Sequence, residues 1–105
     1  LYKMTKAELV NEISIKTGIE KMVVQNVVES MMKVVKNSLV QQDNVYLRGF
    51  GSFIVKKRAQ KTGRIITKNT AIIIPEHFIP AFKPAKTFTD KVKNAYKKKE
   101  SQPQL

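Results

Sequence analysis

The segment from about Glu20 to Leu39 carries apolar side chains around more than one face of a helix. Val24, Val27, Val28, Met31 and Val35 recur at the three- and four-residue intervals of one helical stripe. Val23, Met32, Val34 and Leu39 widen that stripe beyond a single face. A helix of this kind needs two partners: its own domain and another subunit. Chain length sharpens the demand, because 105 residues make one domain. Without its polar middle and basic tail the chain keeps roughly 75 residues, a size at which one core is marginal unless stapled. It has no cysteine, which excludes disulfides, thiol nucleophiles and cysteine-bearing zinc sites. Oligomerisation is the remaining route. Val24, Val28, Met31 and Val35 are therefore expected at a dimer interface or core, together with Phe50, Phe53 and Phe82.

Local signals place the other elements. Thr5-Lys6-Ala7-Glu8 has the form of a capping box, so a first helix starts there and Gly18 stops it. Gln41-Gln42-Asp43-Asn44 reads as a turn. Val45-Tyr46-Leu47-Arg48 and Ser52-Phe53-Ile54-Val55-Lys56 read as strands, joined at Gly49-Phe50-Gly51. The stretch from about Lys57 to Pro75 lacks a regular buried pattern and reads as a long hairpin with Thr67-Lys68-Asn69-Thr70 near its tip. Ile79-Pro80-Ala81-Phe82-Lys83-Pro84 reads as a short edge strand, since proline cannot donate to a ladder. A last helix starts near Ala85, and residues 97–105 are expected to form a basic, disordered tail.

Charge narrows the partner. Twenty basic and eight acidic residues give a formal net charge of +12. Such an excess fits a polyanion, because Lys and Arg that neutralise phosphates release condensed counterions. An anionic membrane surface would attract it too, but placement favours a discrete basic element. No acid lies between Asp43 and Glu76, while that interval carries Arg48, Lys56, Lys57, Arg58, Lys61, Arg64 and Lys68. The longest apolar run, Ala71-Ile72-Ile73-Ile74, stops at Pro75, far short of a bilayer span. The start, Leu1-Tyr2-Lys3-Met4, does not have the pattern of a signal peptide. A cytoplasmic protein is expected.

In this order the elements resemble the bacterial HU / integration host factor family. The resemblance is carried by Lys6-Ala7-Glu8-Leu9, Lys16-Thr17-Gly18-Ile19, Arg48-Gly49-Phe50-Gly51-Ser52-Phe53 and Gly63-Arg64, and by Ile74-Pro75 through Pro80-Ala81-Phe82-Lys83-Pro84-Ala85-Lys86. It runs without a gap from about Met4 to Lys93. It implies an α+β fold and an intertwined dimer: two N-terminal helices, a three-stranded antiparallel sheet with an extended β-ribbon arm, and a short C-terminal helix. The DNA-binding domain would cover residues 1–96, with the arm at about 57–75. Family members reach around DNA into the minor groove with such arms, and apolar wedges at the tips kink the duplex.

Three departures stand out. The family usually carries Arg-Asn-Pro before the tip, with the proline as wedge. This chain reads Arg64-Ile65-Ile66, so Ile66 stands at the proline position, and Ile66 or its neighbour Ile65 is expected to be the wedge. Asn69 replaces the tip glycine and also tolerates positive φ. The returning strand is Ala71-Ile72-Ile73-Ile74, where the family usually alternates with an acid.

Lys56, Arg58, Lys61, Arg64 and Lys68 are thus expected to contact DNA, with Lys83, Lys86 and Lys6 near helix starts, where phosphate is favoured. Lys57 matches a position often acidic in the family and ranks lower. The phenylalanines are expected in the core rather than as stacking platforms. His77, the only histidine, has no second ligand or nucleophile at hand and is expected on the surface. No catalytic constellation, metal site or cofactor is expected. The expected partners are double-stranded DNA and a second copy of the chain (a different partner chain being the variant), with no membrane and no small-molecule substrate. The expected function is largely sequence-independent binding and bending of DNA in a nucleoid-associated setting. Two alternatives stay open: a site-preferring subunit like that of integration host factor, or a protein of the same fold whose arm contacts other proteins.

Overall fold

The computed structural model describes residues 3–65 and 70–101. The expected wedge Ile66 and the cation Lys68 lie outside the described residues. The chain divides into two compact units, Leu1–Asn37 and Ser38–Leu105.

The first unit is helical. Helix α1 spans Lys6–Thr17, and its cap is the one the sequence signals: Thr5 Oγ1 accepts from the Glu8 backbone N–H at 3.3 Å. The helix ends at Gly18, whose φ of +74° and N–H to the Ser14 carbonyl at 2.9 Å close the last turn. Helix α2 spans Lys21–Val40. Among the described residues the buried apolar side chains are Val10 on α1, 3% exposed, and Val24 on α2, 4% exposed. Val28 and Val35 are half-buried, while Val23, Val27, Met31 and Val34 are exposed.

The second unit holds five strands and a helix. At the end of α2, Asp43 N–H donates to the Ser38 carbonyl at 2.9 Å, and Gln42 takes φ of +64°. Strand β1 is Val45–Leu47, β2 is Gly51–Arg58 and β5 is His77–Pro84; they form an antiparallel sheet in the order β1-β2-β5. Strands β3 (Lys61–Ile65) and β4 (Thr70–Ile74) form a separate antiparallel ribbon. Between β1 and β2, Phe50 N–H donates to the Leu47 carbonyl at 3.0 Å. Gly49, with φ of +83°, takes the position of that turn where a side chain would be strained. Gly51 has a different reason: a Cβ there would lie 2.6 Å from Phe82 Cζ and 2.7 Å from the Lys83 carbonyl oxygen.

That close approach lets the aromatic rings gather. Phe82 lies 5.2 Å from Phe50 and 5.0 Å from Phe53, centroid to centroid, and Phe50 stacks on Phe88 of the last helix at 5.4 Å. Helix α3 spans Lys86–Ser101 and is tied to the sheet by the Ala85 N–H, which donates to the Phe50 carbonyl at 2.9 Å. Its backbone therefore continues past Lys97, where a tail was expected to begin. The lysine run that suggested a solvated tail is also made of good helix formers. Strand β5 likewise starts at His77 rather than Ile79. Pro80 is accommodated because β5 is an edge of the sheet.

Candidate nucleic-acid interface

Side chains alternate between the two faces of a strand, and residues directly opposite on paired strands share a face. The register therefore sorts the three-stranded sheet into two surfaces. Val45, Phe53 and Phe82 form one cross-strand row, and Leu47, Gly51 and Pro84 form the next on the same face. Val55, opposite Pro80, and Lys57, opposite Phe78, continue that face.

The other face has a different chemistry. Its first row is Tyr46, Ser52 and Lys83. Ile54 opposite Ala81, Lys56 opposite Ile79 and Arg58 opposite His77 follow. No acid stands on this face. Lys56, Arg58 and Lys83 project from it together, although they come from two strands far apart in the chain. The sequence expected all three in one role, and the register brings them to one surface.

Lys57 falls on the opposite, aromatic face, and its Nζ pairs with Glu76 at 3.2 Å. That ion pair sets it apart from the cations of the other face. Lys6 is also paired. Its Nζ lies 3.0 Å from Glu29 Oε1, and Gln25 Nε2 donates to the same oxygen at 3.4 Å. Hydrogen bonds from Lys6 and then Gln25 hold the Glu29 carboxyl below the usual carboxylate range.

At one end of the cationic face lies an open concavity of about 610 Å³, lined among others by Tyr46, Arg48, Ser52, Lys83 and Lys86. Lys86 is the first residue of α3. Arg48, in the turn after β1, was noted in the acid-free stretch but not singled out as a site residue. Only the closeness of β1 to β5 across β2 joins it to Lys83 and Lys86. Tyr46 was missed as well. Its signal was its alternation with Val45 and Leu47, which sends its ring to the face away from the phenylalanines.

On the ribbon, Lys61 stands opposite Ile74 and Arg64 opposite Ala71, so the two cations occupy different ribbon faces. Ile65 stands opposite Thr70 in the last described pair. Ile72, Ile73 and Ile74 are exposed. His77 is exposed at the foot of the ribbon. The Pro75 carbonyl can only accept, so His77 Nδ1, 2.9 Å away, carries the proton and donates. Among the described residues there is no cluster of three or more side chains suited to a metal, and no helix is long and apolar enough to cross a membrane.

The model of a family described as bacterial DNA-binding protein matches residues 4–93, and the chain belongs to that family. Within it, the chain is 40% identical over 90 residues to DNA-binding protein HU of Thermus thermophilus, covering 86% of this chain and 93% of that one. It is 38% identical over 96 residues to integration host factor subunit beta of Marinobacter nauticus, covering 90% and 98%. Among solved structures it superposes on Anabaena HU in a cocrystal with DNA with a TM-score of 0.81 and 32% identity, covering 85% of this chain and 97% of that one. HU of Thermotoga maritima superposes with a TM-score of 0.60 at 25% identity, covering 85% and 98%.

Proposed function

We propose that this protein is an architectural DNA-binding protein that holds duplex DNA against the cationic face of its sheet and bends it with its ribbon arms, without catalysis or a cofactor. The observation that carries the reading is the acid-free face bearing Lys56, Arg58 and Lys83, continuous with the concavity of Arg48 and Lys86. Backbone phosphates suit such a surface because each neutralised phosphate releases counterions. Lys61 and Arg64 on the ribbon, with Lys68 further along the sequence, extend the contact, and preference among sequences follows deformability rather than base-edge hydrogen bonds. Membership in the family and the likeness to an HU–DNA cocrystal support the reading. In the cell it would act in the cytoplasm, on the nucleoid.

The working unit is a homodimer on this reading. Val23, Val27, Met31 and Val34 along α2 are exposed in the single chain, as are Phe50, Phe82 and Val92 in the second unit. So much apolar surface on a chain with a small core fits completion by a second copy. The unfolding midpoint should rise with protein concentration, and Met31→Asp should abolish folding, because it would leave an unpaired charge in the interface. A folded monomer in sedimentation would overturn the dimer.

Salt titration of duplex binding tests the function itself. The logarithm of affinity should fall against the logarithm of salt with a slope of about −0.9 per phosphate neutralised. A slope near zero would remove the electrostatic basis. Bending is tested separately at the tip. Ile66→Ala should reduce the bend measured by energy transfer across a short duplex and leave the salt slope unchanged, because an apolar wedge offsets unstacking and carries no charge. If Ile65→Ala has that effect instead, the wedge is Ile65. If neither does, the bend does not come from intercalation.

A further inference from the structure

Tyr46 carries no charge with which to meet a phosphate, yet it is 71% exposed on the cationic face. Two features set it apart from an ordinary surface tyrosine. The first is that its ring is braced. The Val55 backbone N–H donates to Asn44 Oδ1 at 3.1 Å, which fixes the carboxamide so that Nδ2 faces Tyr46 Oη and donates to it at 3.3 Å. The Tyr46 hydroxyl on the edge strand β1 is thereby tied through Asn44 to the backbone of β2. The second is its setting. Tyr46 forms a wall of the 610 Å³ concavity whose other lining residues include Arg48, Lys83 and Lys86. That volume falls within the roughly 300–1,000 Å³ of small-ligand sites.

An exposed aromatic face next to several cations meets the two needs of a single nucleotide: a surface on which the base can stack, and positive charge for its phosphate. We propose that this concavity is a base-stacking site for an unpaired nucleotide in a single-stranded stretch of DNA. The base lies on the Tyr46 ring and the phosphate among Arg48, Lys83 and Lys86. A base inside an intact duplex has both faces covered by its neighbours and cannot present one to the ring. The site therefore adds selectivity for gaps and unpaired segments, and it works independently of any wedge at the ribbon tip. The inference rests on DNA being the partner.

The test compares a short thymidine oligonucleotide with an intact duplex, using the full chain and the variants Tyr46→Ala and Tyr46→Phe. Tyr46→Ala should weaken oligonucleotide binding about tenfold more than duplex binding, the scale of one stacked base. Tyr46→Phe keeps the π-face and loses only the Asn44 brace, so it should bind the oligonucleotide more tightly than Tyr46→Ala. The chain has no tryptophan, so tyrosine emission is directly visible; the oligonucleotide should quench it in the parent and much less in Tyr46→Phe. Equal losses on both DNA forms, or no loss on the oligonucleotide, would overturn the site. A parent that binds duplex but not the oligonucleotide would also overturn it while leaving the duplex reading standing. A parent that binds neither would overturn both.

Discussion

The two faces of the three-stranded sheet are built from alternating residues of the same strands, yet they do opposite things. One carries Val45, Phe53 and Phe82, with Phe82 5.0 Å from Phe53 and 5.2 Å from Phe50. The other carries Tyr46, Ser52, Lys56, Arg58 and Lys83. Phe82 and Lys83 are adjacent in the chain and fall on different faces. A register slip of one residue would exchange the two surfaces, putting lysines among rings and rings in water. The cationic surface is thus specified by the aromatic one: ring packing fixes the register, and the register aligns the cations.

Substitutions at that adjacent pair should separate the two roles most strongly. Phe82→Ala forfeits two ring pairs, about 0.5–1.5 kcal/mol each beyond area burial. Phe82→Asp adds a charge among rings and should leave no folded sheet in circular dichroism or thermal melts. Lys83→Asp, one residue along, should keep the melting transition and weaken DNA binding sharply. If both acids unfold the chain alike, the division between faces is wrong.

A smaller effect compares cations rather than faces. Arg58→Ala should flatten the salt slope by about 0.9, the share of one phosphate contact, with the fold intact. Lys57→Ala should leave that slope unchanged. Lys57 stands one position away, on the aromatic face, and its charge is met by Glu76 at 3.2 Å. Slopes measured on one duplex for the two variants decide the matter. Equal flattening would mean that DNA reaches both faces or that the Lys57–Glu76 pair opens on binding.

The sequence made much of this legible and left some of it hidden, for identifiable reasons. Thr5, Glu8 and Gly18 announce α1 because capping is local chemistry. The acid-free interval announces a basic element because composition needs no register. The place of Arg48 and Tyr46 beside Lys83 and Lys86 stayed hidden, since it depends on pairing between β1, β2 and β5 across distant parts of the chain. The Lys57–Glu76 pair was hidden for the same reason. The expected start of β5 came two residues late because Pro80 weakened the strand signal, and only its edge position shows why proline is tolerated. The helical course of residues 97–101 was read as tail because charge runs and helix formers share the same lysines.

The smallest expected effect lies off the sheet, at the ion-paired Lys6, and it completes the contrast between met and unmet charge. Lys6 and Gln25 donate to Glu29 and hold its carboxyl below the usual carboxylate range. A carboxyl lowered in the folded state contributes stability above its unfolded value, and that contribution is lost as pH falls through the folded value. The melting temperature of the parent should therefore exceed that of Glu29→Gln at neutral pH, and the two curves should converge at acid pH, below the usual carboxylate range. The gap should be small and should shrink with added salt, because both side chains are exposed to solvent. Lys83, on the face without acids, has no carboxylate whose protonation could act this way, so Lys83→Ala should show no such convergence in the same acid range. A gap that persists undiminished below the carboxylate range would mean that Glu29 stabilises α2 by something other than its charge.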